Sequence, residues 1–301
     1  MKDERSVRWD SLIIAVVGGD DREQEIARLA AGTGAQVRAF GFPLPGPAVR
    51  GLEMSQDAAQ SMRGADFALF PVPGIAADGS LYAPECPGII PDEALLAELG
   101  EDAHIILGSA DERLRAAAGA FGIPLHEYEG DPELMLLRAP AIVEGALQKA
   151  IENTELTIHA ASVAVVGQGN IGSQLTRTLV LLGARVHAAA RNPVQRAAAY
   201  ALGASPLPLE DLAALAPQLD MLFSTVPAPI VGRELLERLP AGTLVMDLAA
   251  PPGGVDLAAA EELGLTAVWA RGLGRRAPVT VGSSQWTGIK RLIEDIERKR
   301  G

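Results

Sequence analysis

Apolar runs short enough to be buried strands recur along this chain, and between them the apolar positions fall at helical spacing. The strand candidates are LIIAVVG (12–18), AQVRAFGF (35–42), DFALFPV (66–72), HIILG (104–108), VAVVG (163–167), RVHAAA (185–190), DMLFSTV (220–226), TLVMDLA (243–249) and TAVWA (266–270). Apolar strands alternating with helices predict parallel sheets covered on both faces. An internal echo divides the pattern in two. Gly18 closes a strand and Gly34-Ala35 opens the next one 16 residues on, and Gly167 and Gly183-Ala184 repeat that spacing. Between the halves an acidic helical stretch runs from Asp131 through PELMLLRAPAIVEGALQKAIENTE. After the last strand a Gly/Arg/Pro loop (271–282) leads into the amphipathic WTGIKRLIEDIERKR. The expected fold is therefore α/β, with two Rossmann-like, doubly wound parallel-sheet domains, a connecting helix, and a C-terminal helix packing back on the first domain. The expected boundaries are 1–142 for a substrate or partner domain, 143–283 for a nucleotide domain and 284–301 for the returning helix.

Composition narrows the partners. With 26 basic against 38 acidic side chains the net charge is −12, which opposes general affinity for nucleic acid or anionic lipid. An anionic ligand must then meet local arginines. Cys86 is the sole cysteine, so no internal disulfide forms, and structural zinc sites needing two cysteines are excluded; no metal site is expected. MKDERSVRWD followed by LIIAVV is too short and wrongly flanked for a signal peptide, and no apolar stretch reaches about 18 residues. A soluble, cytoplasmic protein is expected.

The chemistry-bearing stretch is VAVVGQGNIGSQL (163–175). In a G-x-G-x-x-G turn the first glycine permits the tight bend, the second lets backbone approach a diphosphate, and the third lets the helix pack closely on the strand. Gly167, Gly169 and Gly172 fit this pattern after a strand and before a helix, so a dinucleotide diphosphate is expected on the amides near Asn170 and Ile171. The bland alternative is a structural strand-to-helix turn. NAD sites usually carry an acid at the end of the second strand, whereas this strand ends Ala189-Ala190-Arg191-Asn192. A guanidinium pairs with a 2′-phosphate that a carboxylate would repel, so NADP is expected over NAD, with Arg191 and Asn192 at the phosphate. Thr225, Val226 and Pro227, together with Asp247 and Ala249 of DLAAPPGG, leave later strands at the edge where the nicotinamide end belongs. The counterpart turn in the first half, Gly18-Gly19-Asp20-Asp21-Arg22-Glu23, puts acids where the second and third glycines would be. That half is read as serving substrate, with Asp20 and Arg22 either meeting a ligand or capping a helix.

Several segments together resemble the family of the A-type subunit of dipicolinate synthase, over nearly the whole chain. They are AVVGGDDREQEIARLA (15–30) with the following strand ending Gly41-Phe42, LFPVPG (69–74), VEGALQKAIENTELTIHAASVAVVGQGNIG (143–172) and DLAAPPGGVD (247–256). The resemblance implies NADP-linked dehydrogenation of dihydrodipicolinate to dipicolinate, together with the flavoprotein-like B-type subunit of dipicolinate synthase, in the sporulating mother cell; a homo-oligomer is compatible with it. Two carboxylates on the substrate call for cations, and Arg22, Arg138, Arg271, Arg275 and Arg276 are the candidates. The chain departs from the family pattern at Ala141-Ile142, in RGLGRRAPVTVG, and at Val279, where the family tends to have lysine. The architecture also resembles D-2-hydroxyacid dehydrogenases, but residues 188–301 contain no histidine to act as their late general acid. Catalytic candidates are His159 as proton acceptor, Glu144 on the connecting helix and Arg22; His104 and His126 are expected to be structural. Two alternatives stand beside the enzyme: a non-catalytic NADP-binding partner protein, and a diverged reductase of another small carboxylate.

Overall fold

The computed structural model describes residues 7–44 and 46–300. The chain divides into two units at Leu137/Arg138 and Arg276/Ala277, the last segment joining the first unit. These divisions fall a few residues before the expected 142/143 and 283/284. At the first, a single helix, Pro132–Glu152, runs through the division without a break. At the second, the closing helix begins at Pro278, so the expected 271–282 loop ends earlier.

The first unit holds β1 (Ile13–Val17), β2 (Gln36–Phe40), β3 (Leu52–Met54), β4 (Phe67–Leu69), β5 (His104–Leu107) and β6 (Leu125–Glu127) in the order β3-β2-β1-β4-β5-β6, all pairs parallel. Its central strands are buried on both faces, as their unbroken apolar composition requires. One face packs Ile14, Val16 and Val37 against the helix Asp21–Ala31 and the closing helix Pro278–Arg300, which contributes Trp286, Ile289 and Ile293. The closing helix comes close because Gly282 presents no side chain: a Cβ there would lie 2.6 Å from the Arg22 carbonyl oxygen. The opposite face buries Ala15, Val17, Met62 and Leu107.

The second unit repeats the plan with β7 (Ser162–Val166), β8 (Arg185–Ala189), β9 (Ser205–Leu207), β10 (Met221–Ser224), β11 (Leu244–Asp247) and β12 (Thr266–Trp269). Their order is β12-β11-β10-β7-β8-β9, which is the same winding read from the other edge. A shared bracket marks the repetition. In the first unit Asp66 accepts the Ile13 N–H on its side chain at 2.8 Å and donates its own N–H to the Ile13 carbonyl at 2.9 Å. In the second, Asp220 does the same to Ser162 at 2.7 and 2.9 Å. Each aspartate thus fixes the register of the two strands between which the winding reverses, the position where open α/β sheets bind ligands beyond the strand carboxyl ends.

All nine strand candidates form strands. The sheets hold three more, β3, β6 and β9, each three residues long and each at an edge. No helix among the described residues is long and apolar enough to cross a membrane.

Candidate functional site

The two counterpart turns part company at the start of the following helix. In the second unit, Gly167 adopts φ +92°, and a Cβ there would lie 2.6 Å from both Thr225 Oγ1 and Val226 Cγ2. Gly172 is tighter still, since its Cβ would meet the Gly167 carbonyl oxygen at 2.0 Å. Gly169 differs from both, because a Cβ there meets nothing within 4 Å. The helix Asn170–Leu181 begins on Gly169 with no side-chain cap and no acid in its first turn. A helix start leaves four N–H groups without intrahelical partners and carries the positive end of the macrodipole. Open space, uncapped amides and two glycines that admit nothing larger form a cradle that fits a diphosphate. Asn170 stands exposed on the first turn and Ile171 is half-buried there.

In the first unit the same position is filled by the chain itself. Asp20 accepts the Arg22 N–H at 3.1 Å, Glu23 accepts the Asp20 N–H at 2.7 Å, and together they form a capping box. The second oxygen of Glu23 accepts the Val72 N–H at 2.7 Å, and Gly19 donates to the Tyr82 carbonyl at 2.7 Å, drawing the 71–82 loop over the turn. Burial pushes the Glu23 carboxyl up to about 7, against the opposing charge of Arg22 and its two backbone hydrogen bonds. Arg22 forms a bidentate pair with Asp20 at 2.8 Å on each arm, its side chain 9% exposed. Burial opposes its charge, but the Asp20 hydrogen bond and the charges of Glu23 and Asp20 outweigh that and raise its pKa.

A cavity of about 210 Å³ in the second unit gathers many of the residues read from sequence: Gly167, Gly169, Arg191, Thr225, Val226 and Pro227 line it. Gln168, Gln195, Leu209 and Ile230 line it as well, and the sequence reading does not reach them. Leu209 follows β9, a strand with no apolar run to announce it. Gln168 is buried; its amide nitrogen donates to Thr176 Oγ1 at 2.9 Å and its oxygen has no partner among the described residues. Arg191 is exposed, and its guanidinium makes no ion pair among the described residues. Its loop is clamped from below, because Arg196 Nη1 donates to the carbonyls of Ala190 and Arg191, both at 2.8 Å. Asn192 turns its side-chain oxygen to the Val194 N–H at 2.8 Å, capping the next helix.

Asp247 and Ala249 play a part that the sequence reading does not assign. The Asp247 carboxylate is fully buried and accepts the N–H groups of Ala249, Gly254 and Val255 at 2.9, 2.6 and 3.1 Å. Its oxygens are occupied in bending the 247–255 loop, so it braces the edge instead of meeting a ligand directly. Ala249 is buried, and its carbonyl accepts Trp269 Nε1 at 3.1 Å.

Of the three catalytic candidates, His159 and Glu144 lie in the second unit and Arg22 in the first. His159 precedes β7 and its Nδ1 lies 3.3 Å from the Leu182 carbonyl, beside Gly183. It therefore sits at the amino edge of the sheet, the opposite end from the cradle. Glu144 forms an ion pair with Arg276, which occupies both. Arg22 is held by Asp20 in the first unit. His104 and His126 share a proton across 2.8 Å within the first unit. Burial first, then the charge of Arg300 and His126 itself, lowers His104 to about 4.

Residues 13–129 match the N-terminal domain of the A-type subunit of dipicolinate synthase, and residues 138–249 match the NAD-binding domain of D-isomer specific 2-hydroxyacid dehydrogenases. The chain is 29% identical over 302 residues to the A-type subunit of dipicolinate synthase from Bacillus subtilis (strain 168), covering 96% of this chain and 98% of that protein. The crystal structure of the Bacillus halodurans counterpart superposes with a TM-score of 0.85 at 26% identity, over 93% of this chain and 96% of that one. The Bacillus subtilis crystal structure gives 0.85 at 27% identity, over 96% and 97%. With the glycine cradle in its second unit, the chain is thus similar over nearly its whole length to the A-type subunit of dipicolinate synthase, and its second unit is similar to the NAD-binding domain of D-isomer specific 2-hydroxyacid dehydrogenases.

Proposed function

We propose that this chain is an NADP-dependent oxidoreductase that dehydrogenates dihydrodipicolinate to dipicolinate, working with the B-type subunit of dipicolinate synthase in the cytoplasm of a sporulating cell. One observation carries the nucleotide half of this reading: of two helices built on the same plan, the one opening at Asn170 is left uncapped over open space, while its counterpart is closed by Asp20 and Glu23. The amides opening the helix at Asn170 would hold the diphosphate, Leu209 and Ile230 would flank the adenine, and Arg191 would pair with the 2′-phosphate, since Leu209, Ile230 and Arg191 line the same cavity as Gly167 and Gly169. The substrate half rests on similarity over both units. A nicotinamide held at the cradle would supply the two-electron hydride acceptor for the dehydrogenation, whose other product is one proton released as the substrate ring becomes aromatic. Aromatisation drives the step, so the protein's main work is to orient the ring and hold its carboxylates.

A second reading is favoured by His159 lying at the far edge and Glu144 being paired: a nucleotide-binding partner that turns nothing over by itself. Purified chain mixed with dihydrodipicolinate and NADP, with and without the B-type protein, separates the two by NADPH absorbance. Growth in either mixture supports the enzyme. No growth in both, with NADP uptake intact by calorimetry, leaves the non-catalytic partner.

A further inference from the structure

The cradle stands at the point of strand reversal, so the residues after β8 would hold the adenosine half of a dinucleotide and those at the carboxyl ends of β10 to β12 its nicotinamide half. Arginines without an acidic partner among the described residues stand on both sides of it. Arg191 and the loop clamp Arg196 follow β8; Arg271 follows β12. The Arg271 guanidinium lies over the Trp269 ring, 5.2 Å from its centroid, and its backbone N–H donates to the Trp269 carbonyl at 3.1 Å. The ring is itself fixed, since Nε1 donates to the Ala249 carbonyl in the loop that Asp247 braces. The other arginine candidates are engaged: Arg22 by Asp20, Arg276 by Glu144, and Arg138 and Arg275 by partners of their own. In a chain of net charge −12, a guanidinium held by an aromatic face and left without a carboxylate is a cation kept available.

We propose that Arg271, placed by Trp269, binds a carboxylate of the substrate at the nicotinamide end of the site. The inference rests on the nucleotide reading above and adds a specificity residue to it. Trp269 is a positioning residue: its face sets the plane of the guanidinium, and with it the direction of the bidentate pair.

The test is calorimetric titration of pyridine-2,6-dicarboxylate into the full chain, both alone and saturated with NADP, for wild type, Arg271→Met, Arg271→Lys, Trp269→Phe and Trp269→Leu. Arg271→Met should weaken dicarboxylate binding at least tenfold and leave NADP affinity within twofold. Arg271→Lys should recover part of the loss. Trp269→Phe should keep most of the binding, and Trp269→Leu should lose it. Arg271→Met binding the dicarboxylate as wild type does, or wild type failing to take it up in either state, overturns the proposal. Failure of NADP to bind overturns the nucleotide reading instead, and the titration of the chain alone still decides the role of Arg271.

Discussion

Gly169 and Gly172 stand three residues apart in one turn and should respond to the same substitution in opposite ways. Gly169 has φ −78° and open space, so alanine is accommodated and should hold stability or raise it by about 0.4–1 kcal/mol through the unfolded chain. Its methyl group would stand where the diphosphate rests, so NADP affinity should fall at least tenfold by calorimetry. Gly172→Ala forces a methyl group onto the Gly167 carbonyl oxygen and should lower the melting temperature first. At the phosphate end, Arg191→Ala should cost about 1.5–3 kcal/mol of NADP binding, roughly ten- to 150-fold, and leave NAD unchanged. Calorimetry with both nucleotides checks this, and equal losses for the two would remove Arg191 from the 2′-phosphate. The glycines are legible in the sequence because the backbone conformation they permit falls at a fixed spacing, and the place of Arg191 on the cavity wall is legible because it directly follows the β8 run. Arg196 is not, because a side chain that clamps two carbonyls of a neighbouring loop leaves no periodic trace.

Helix starts carry the contrast between the units. Asp20 serves as cap and as counter-ion to a buried guanidinium, so Asp20→Ala removes both functions at once. Leaving Arg22 buried without its bidentate partner, with only the charge of Glu23 beside it, should destabilise the protein by about 3 kcal/mol, read from urea denaturation of the full chain. Asp20→Asn keeps the cap and should recover part of the loss. At this scale the sequence is readable in the buried central strands: β1 and β4 are apolar throughout, and β7 is apolar after Ser162, because both faces are covered. The unannounced strands β3, β6 and β9 are short and partly exposed, and β9 carries Pro206, which an edge tolerates and a centre does not. Their pairing is imposed by the strand beside them and has no pattern of its own. The aspartate bracket is hidden for a related reason: Asp66 and Asp220 precede apolar runs as ordinary loop residues do, and only the paired strand shows what they hold.

For the molecule as a whole, acid should loosen the first unit. His104 is lowered to about 4 by burial and by Arg300, while an unfolded histidine titrates near 6.5. Its contribution is therefore present above pH 6.5 and lost as pH falls from there towards 4, because the unfolded chain takes up the proton that the folded one refuses. His104→Asn should flatten the acid limb of a stability profile measured by denaturant between pH 7 and 4; an unchanged limb would show that the pair shares its proton without cost. The two units also differ in what they ask of the solution around them. Because Asp20 and Glu23 already sit on the helix opening at Asp21, the first unit carries its anion within its own sequence, while the second leaves the corresponding helix start without one. Nucleotide uptake should then saturate at one molecule per chain, with amide exchange slowed around 167–175 and untouched around 18–26, however closely the two sheets repeat each other.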